Sequence, residues 1–284
     1  MGHGHWRIHR PWRTPQYHPS QISIELRSNI MSAMEKIPSP PTGQIVSQWS
    51  GIAKEQAVQR MFTAIAQSYD LNNSLLSFGL HHRWKRLAIK AIPPMETGHA
   101  LDIGAGTADL AMLLHERMNN QGSVAAMDLN GAMLKEGLRK LTKLGLTPQI
   151  SCFQGNAEQL TFQDNVFDAV TAGFCIRNVG DIPKVFCEIF RVLKPGGRFV
   201  CLEFSRPLSK GLRALYDWYS FHLLPWIGTK VAQDHTDVYR YLPASIRAFP
   251  DQQRLAELLS HAGFQHVQYR NLTGGIVAIH IAVK

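Results

Sequence analysis

The chain has 284 residues, 45% of them hydrophobic and 9% aromatic, enough apolar material for a large core, so a short disulfide-stapled scaffold is excluded. Charged residues make up 18% and alternate with apolar runs, which excludes a disordered chain of high charge and little to bury. The formal net charge is +9 with a pI near 9.5, compatible with an anionic ligand, a nucleic acid or an acidic lipid surface and selecting none of them.

Residues 1–50 carry Arg7, Arg10, Arg13, Arg27 and Lys36 against Glu25 and Glu35, so most of the positive excess belongs to residues 51–284. The breaker cluster Pro38-Ser-Pro-Pro-Thr-Gly43 and the lack of sustained periodicity predict a basic, flexible extension with at most one short helix over 22–34. A non-cleaved bacterial extension or a transit-type leader fits the same composition. No apolar segment follows the early arginines and no run of 18 apolar residues exists, so neither a secretory signal nor a membrane span is expected.

Residues 51–284 read as one domain. Val58, Met61, Phe62, Ile65 and Ala66 recur at helical spacing, 71–79 reads as a loop, and 84–92 as a helix stopped by Pro93 and Pro94. From His99 onward short apolar runs alternate with helical patterns. Strands are predicted over 100–103, 123–128, 150–153, 166–171, 199–204, 264–269 and 276–283, with helices over 108–118, 132–144, 182–193 and 252–261. Residues 194–197 read as a turn, and 271–275 as a loop joining an edge hairpin. Strands apolar nearly throughout and separated by helices predict an α/β fold, a doubly wound, mostly parallel seven-stranded sheet. Residues 205–250, with four of the seven tyrosines and two of the six tryptophans, read as a helical insert or cap. Within it, 212–227 is an amphipathic aromatic run suited to a lipid tail or lipid surface. Cys152, Cys175, Cys187 and Cys201 follow neither a zinc nor a disulfide spacing, which suits reduced thiols in a cytoplasmic compartment.

The strongest chemical signal is L101-D-I-G-A-G-T-A-D109. Gly104 and Gly106 allow a tight turn and close ligand approach, and Asp128 ends the second strand 22 residues after Gly106, where a carboxylate can accept from two ribose hydroxyls. Asp102 and Asp109 flank the loop; they would repel a pyrophosphate and suit a cationic, amino-bearing ligand, which S-adenosylmethionine is. Asn156 and Ala157, after the third strand, fall where an adenine would lie. Asp164 and Asp168 read as structural.

The segments Y69-D-L-N-N73, G79-L-H-H-R-W-K85, F174-C-I-R-N-V179, L202-E-F-S205, Y239-R-Y-L-P-A-S-I-R247 and N271-L-T-G-G275 resemble the demethylmenaquinone/ubiquinone biosynthesis C-methyltransferases, a family of class I (Rossmann-like) S-adenosylmethionine-dependent methyltransferases. The likeness runs over about residues 57–284. It implies that Thr107, Asp128, Asn156 and Ala157 join Asp102, Gly104 and Gly106 in holding S-adenosylmethionine. Two departures stand out: Ala105 and Ala108 replace glycines of the family's loop, and Gly173 replaces a serine. Alanine at 108 is expected to lie already in the helix, since a left-handed alanine would cost about 1 kcal/mol.

The resemblance further implies methyl transfer to a ring carbon of a polyprenylated benzoquinol or naphthoquinol. Such a reaction needs an in-line pocket, a polar contact for a ring hydroxyl and exclusion of water rather than a metal or covalent nucleophile. Candidates for the polar contacts are Arg177, Asn178, Tyr241, Asp234 and His82, with Tyr239 and Arg247 beside them. The implied partners are the quinol, a quinone-biosynthesis complex, a second copy of the chain and, transiently, the inner face of the cytoplasmic membrane; no nucleic-acid motif is present. A methyltransferase for another lipid-like acceptor, such as a sterol or phospholipid headgroup, and a non-catalytic cofactor-binding scaffold remain the alternatives.

Overall fold

Apolar runs too short for helices pair edge to edge in the order β3-β2-β1-β4-β5-β7-β6, a seven-stranded sheet. The computed structural model describes residues 51–223 and 238–284, all within one unit spanning Ile45–Lys284. The basic extension, Asp234, Leu224 and Trp226 therefore lie outside the described residues.

The strands are β1 (His99–Ile103), β2 (Ser123–Asp128), β3 (Ile150–Gln154), β4 (Phe167–Gly173), β5 (Leu193–Phe204), β6 (Gln265–Leu272) and β7 (Val277–Val283). Those from β3 across to β5 are parallel; β7 runs antiparallel between β5 and β6. The expected hairpin is thus present, but its second strand inserts next to β5 and its first takes the edge. The 194–197 turn lies inside β5 as a bulge, where the register with β4 jumps from Phe167↔Leu193 to Ala169↔Arg198.

Alternate strand residues point to opposite faces, and both are covered. Ala100, Val124, Ala126, Ala169 and Val200 pack under α3 (Leu80–Lys90) and α4 (Asp109–Arg117). Leu101, Ile103, Met127, Val170 and Phe199 pack under α6 (Ile182–Val192) and α9 (Gln252–His261). Local chemistry starts the helices: Asn130 caps α5 (Gly131–Lys143), Asp181 caps α6 and Asp251 caps α9, each accepting from backbone N–H groups of the first turn. Asp164 and Asp168 are structural, paired with Arg191 and Lys194 at 2.7 Å each.

The N-terminal segment folds as α1 (Gly51–Ile65), α2 (Tyr69–Leu76) and α3. The loop expected over 71–79 is therefore a helix and a three-residue turn. The polar residues that suggest a turn bond along the helix instead, Asn72 Nδ2 to Ser68 Oγ and Ser74 Oγ to Asp70 O. The insert after β5 is helical as expected: α7 (Lys210–Trp218) with a π-helical turn (Tyr219–Leu223), then α8 (Val238–Ala248). Val58 and Met61 of α1 bury against Tyr241 of α8, a third, small core that joins both sets of accessory helices above the carboxyl edge of the sheet.

Candidate active site

The turn after β1 requires glycine. Gly104 has φ +63, and a Cβ there would lie 2.4 Å from the Cys175 Cβ. The Asp128 carboxylate ties the loop to β2: Oδ2 accepts from Gly106 N and Oδ1 from Asn130 N, both at 2.8 Å. Burial raises its pKa from the ordinary value, and these backbone donors oppose the rise. Ala108 departs from expectation. It is left-handed, φ +67 ψ +20, and lies outside the helix, held there with its methyl buried against the core under α3 and α4.

This turn opens on a cavity of about 110 Å3 whose wall includes Gly104, Gly106, Asp128, Asn156, Ala157 and Asn178. Three carboxylates, Glu55, Asp128 and Glu158, line it, and among the described residues no lysine or arginine does. In a chain of net charge +9 this is a cation-seeking surface, fitted to a sulfonium and an amino group and unsuited to phosphate. Helix α1 roofs it through Val58, Gln59 and Phe62, anchored by Asn130 Nδ2, which donates to Gln59 O and Oε1 at 2.9 Å and to Thr63 Oγ1 at 3.0 Å.

Two expected cofactor contacts, Asp102 and Thr107, and the flanking acid Asp109 depart from expectation. Asp102 is fully buried beneath the loop, accepts from Thr171 Oγ1 at 2.7 Å and does not reach the cavity; burial pushes its pKa up to about 7. Thr107 turns away to donate to Asp70 Oδ1 at 2.6 Å. Asp109 is not presented to a ligand, because Lys85 and Lys140 hold it at 2.8 and 2.7 Å. Burial opposes its charge, yet the two lysines outweigh burial and hold its pKa near 2. Lys140 also binds Asp70 at 2.6 Å, so this ionic cluster clamps α2 and α3 against the glycine loop. The acidity inferred from Asp102 and Asp109 is supplied by Glu55, Asp128 and Glu158 instead. At Gly173 a Cβ would lie 2.4 Å from Leu110 Cδ1, so only backbone faces the cavity there.

A second cavity of about 420 Å3 lies alongside, lined mainly by aromatic and aliphatic side chains. Phe62, Tyr69 and Phe174 line both, so these three form the boundary between them. The polar groups of the second cavity include Tyr69, His81, Lys85, Arg177 and Tyr241, and among the described residues no carboxylate lines it. Arg177 is buried against Glu203, with Nη1 3.0 Å from Oε1. Burial works against its charge, and Glu203 with Tyr241 and Tyr69 together outweigh burial, so the guanidinium stays charged. Asn178 lines the first cavity rather than the second, and its Oδ1 accepts from the Tyr241 hydroxyl at 2.8 Å.

His82 is exposed and outside both cavities, whereas His81 faces the second one, its Nδ1 2.8 Å from Ser77 Oγ. The helical spacing of Trp84, Lys85 and Ala88 carries this choice, since their buried face includes position 81 and excludes 82. Burial and nearby Lys85 lower the His81 pKa to about 4, leaving a neutral imidazole at pH 7. Tyr69 was legible only as part of a motif; burial raises its hydroxyl pKa, with Lys85, Asn73 and Arg177 opposing. Glu203 was likewise legible only within the L202-E-F-S205 motif, and the roof supplied by α1 had no local signal. Thr273, in the N271-L-T motif, lines the second cavity and accepts from Trp84 Nε1 at 3.0 Å. Asp234 and the Tyr239 side chain lie outside the described residues.

Comparison with known proteins matches the model of the ubiE/COQ5 methyltransferase family over residues 51–284. A curated relative from Yersinia enterocolitica, "Ubiquinone/menaquinone biosynthesis C-methyltransferase UbiE", is 47% identical over 236 residues, 82% of this chain and 94% of that protein. Among solved structures, the [4+2]-cyclase SpnF aligns with a TM-score of 0.60 at 17% identity, over 81% of this chain and 96% of that one. A SAM-dependent methyltransferase from Aquifex aeolicus gives 0.52 at 17%, over 70% and 88%. The two structures share the fold alone, a class I Rossmann-like methyltransferase. The sequence relationships reach further, and on them this chain belongs to the ubiE/COQ5 methyltransferase family, whose members use S-adenosylmethionine.

Proposed function

We propose that the protein transfers a methyl group from S-adenosylmethionine to a ring carbon of a polyprenylated quinol in ubiquinone or menaquinone biosynthesis. The observation that carries this reading is the meeting of the two cavities: a carboxylate-lined one and an apolar one share a wall of Phe62, Tyr69 and Phe174 at the carboxyl edge of the sheet. The 47% identical relative bears the corresponding activity in its name.

On this reading Asp128 receives the ribose hydroxyls with the lone pairs its backbone donors leave free, and Asn156 and Ala157 flank the adenine. The cofactor supplies an electrophilic methyl on a good leaving group. The rest of the task falls to the acceptor cavity. A hydroquinone carbon becomes nucleophilic as its neighbouring oxygen gains negative charge, and Arg177 and Lys85 place positive charge on the cavity wall where that oxygen develops it. Both cations are held by carboxylates, Glu203 and Asp109, which position them without themselves entering the cavity. Tyr69, neutral His81 and Tyr241 are the hydrogen-bonding groups around the ring. The aromatic remainder excludes water and receives the first isoprene units.

The test is quinone profiling by mass in a strain lacking the gene, with the purified full chain assayed on a short-tail quinol. Accumulation of a ring-demethylated quinone, repaired by the gene, and one added ring methyl in vitro are expected. Unchanged quinones, or methylation only of a sterol or phospholipid headgroup, would overturn the reading. Because the acceptor's tail is a membrane lipid, transient contact with a membrane surface belongs to the same proposal. No helix among the described residues is long and apolar enough to cross a membrane.

A further inference from the structure

The turn between α2 and α3 holds an aromatic side chain where the backbone disfavours one. Gly79 N–H donates to Ser74 O at 2.8 Å and Phe78 N–H to Leu75 O at 3.3 Å, the two bonds of a Schellman helix stop. The position between them is left-handed and normally glycine. Here it is Phe78, φ +50, and its side chain is 79% exposed. The chain bears backbone strain and the exposure of a large apolar group at once.

Phe78 has company. Leu71 is 72% exposed on α2, and on α7, far away in sequence, Leu215 is 62% and Trp218 56% exposed. The π-helical turn that follows α7 reaches α2, the Tyr219 hydroxyl donating to Leu76 O at 3.2 Å. Phe78, Leu215 and Trp218 also form part of the acceptor cavity's wall. Three of these four exposed apolar groups therefore stand at the wall of the second cavity. The flanking charge is mostly positive, Asp70 beside Leu71 being paired with Lys140 at 2.6 Å. Residues 71–90 contain no acid and expose Arg83, Arg86 and Lys90. Residues 205–222 expose Arg206, Lys210 and Arg213, and Asp217, the acid in that stretch, is paired with Arg247 at 2.6 Å.

We propose that this rim, Leu71, Leu75 and Phe78 from one side with Leu215 and Trp218 from the other, is the surface by which the protein docks on an anionic lipid bilayer, with Phe78 as the inserting tip. Apolar side chains inside a basic border match the bilayer interface, where acyl chains lie beneath negatively charged headgroups. A second copy fits less well, because a self-complementary contact would bring the basic borders against each other. The inference rests on the reading of a membrane-borne acceptor and names the residues that reach it.

The experiment is vesicle co-sedimentation of the full chain, using phosphatidylcholine alone and phosphatidylcholine with one part in three phosphatidylglycerol. Phe78→Asn keeps the left-handed turn and removes the aromatic ring. It is expected to weaken binding to the anionic vesicles at least tenfold while leaving the melting temperature equal to or above that of the parent. Leu71→Gln with Leu75→Gln is expected to weaken binding similarly, with unchanged turnover on a tail-less quinol in solution. Binding of both variants equal to the parent's overturns the proposal, as does a drop in melting temperature for Phe78→Asn, which would make the ring a packing group. Light scattering that shows a parent dimer and monomeric variants overturns it in favour of an interface between copies. Absence of methyl transfer to the tail-less quinol by the parent chain overturns the quinol reading separately, whatever the vesicles show.

Discussion

The Tyr241 hydroxyl donates to Asn178 Oδ1 at 2.8 Å, yet the two side chains line different cavities. Tyr241 belongs to α8 and the larger cavity, Asn178 to the turn after β4 and the carboxylate-lined one. This bond thus registers the cap helix against the boundary where, on the proposed function, methyl donor and acceptor meet. Tyr241→Phe keeps the packing against Val58 and Met61 and removes the bond alone. Turnover is expected to fall about tenfold, the equivalent of one hydrogen bond of about 1.4 kcal/mol, while S-adenosylmethionine affinity changes less than about twofold. Steady-state kinetics with calorimetry of cofactor binding checks it. An equal loss in both would show that Tyr241 only maintains the fold.

Asp128 carries two loads. Its carboxylate holds Gly106 N–H and Asn130 N–H, and it faces the cofactor cavity. Asp128→Ala is expected to lower S-adenosylmethionine affinity at least tenfold, since a buried acceptor is removed from partners that stay buried, a loss of about 2–5 kcal/mol. Asp128→Asn retains one accepting oxygen and should fall between. Calorimetry that finds the alanine variant binding normally would remove Asp128 from the site.

Arg177 cannot be tested by a single truncation. Arg177→Ala leaves Glu203 buried without its partner, and loss of about 3–5 kcal/mol of stability is expected from that alone. Replacing both, Arg177→Met with Glu203→Leu, is expected to recover most of that stability in chemical denaturation while turnover stays low. Recovery of turnover with stability would show that the pair serves only the fold.

Asp102 makes stability depend on pH. Its folded pKa of about 7 lies above the ordinary 3.8, so the native state binds its proton more tightly than the unfolded chain does. The buried charge is a full cost above about pH 7, and the cost shrinks as pH falls from 7 toward 3.8, by about 1.4 kcal/mol per pH unit. Asp102→Asn carries no such charge. It is expected to melt above the parent at pH 8, with the gap closing at acid pH, in thermal scans across that range. A gap independent of pH would show that Asp102 titrates as it does in the unfolded chain and is ionised throughout that range.

The alternation of short apolar runs with 3.6-period helices was enough to establish a mostly parallel sheet, because period and length are local properties of the chain. Gly104, Gly106 and Asp128 were legible for the same reason: a tight turn and a carboxylate at a strand end are dictated within a few residues. Decisions that depend on a distant partner were not legible. Thr107 and Asp102 sit beside the glycine loop in sequence, but Thr107 is claimed by Asp70 and Asp102 by Thr171, 37 and 69 residues away. The histidine facing the cavity is 81 rather than 82 because α3 buries its Trp84–Ala88 face, a choice made by packing. The position of β7 between β5 and β6, the roof formed by α1 and the pairing of Arg177 with Glu203 came only with the tertiary structure. Each joins groups far apart along the chain, and a side chain's direction is fixed by the surface it can bury and the charge it must neutralise, neither of which is contained in its sequence neighbours.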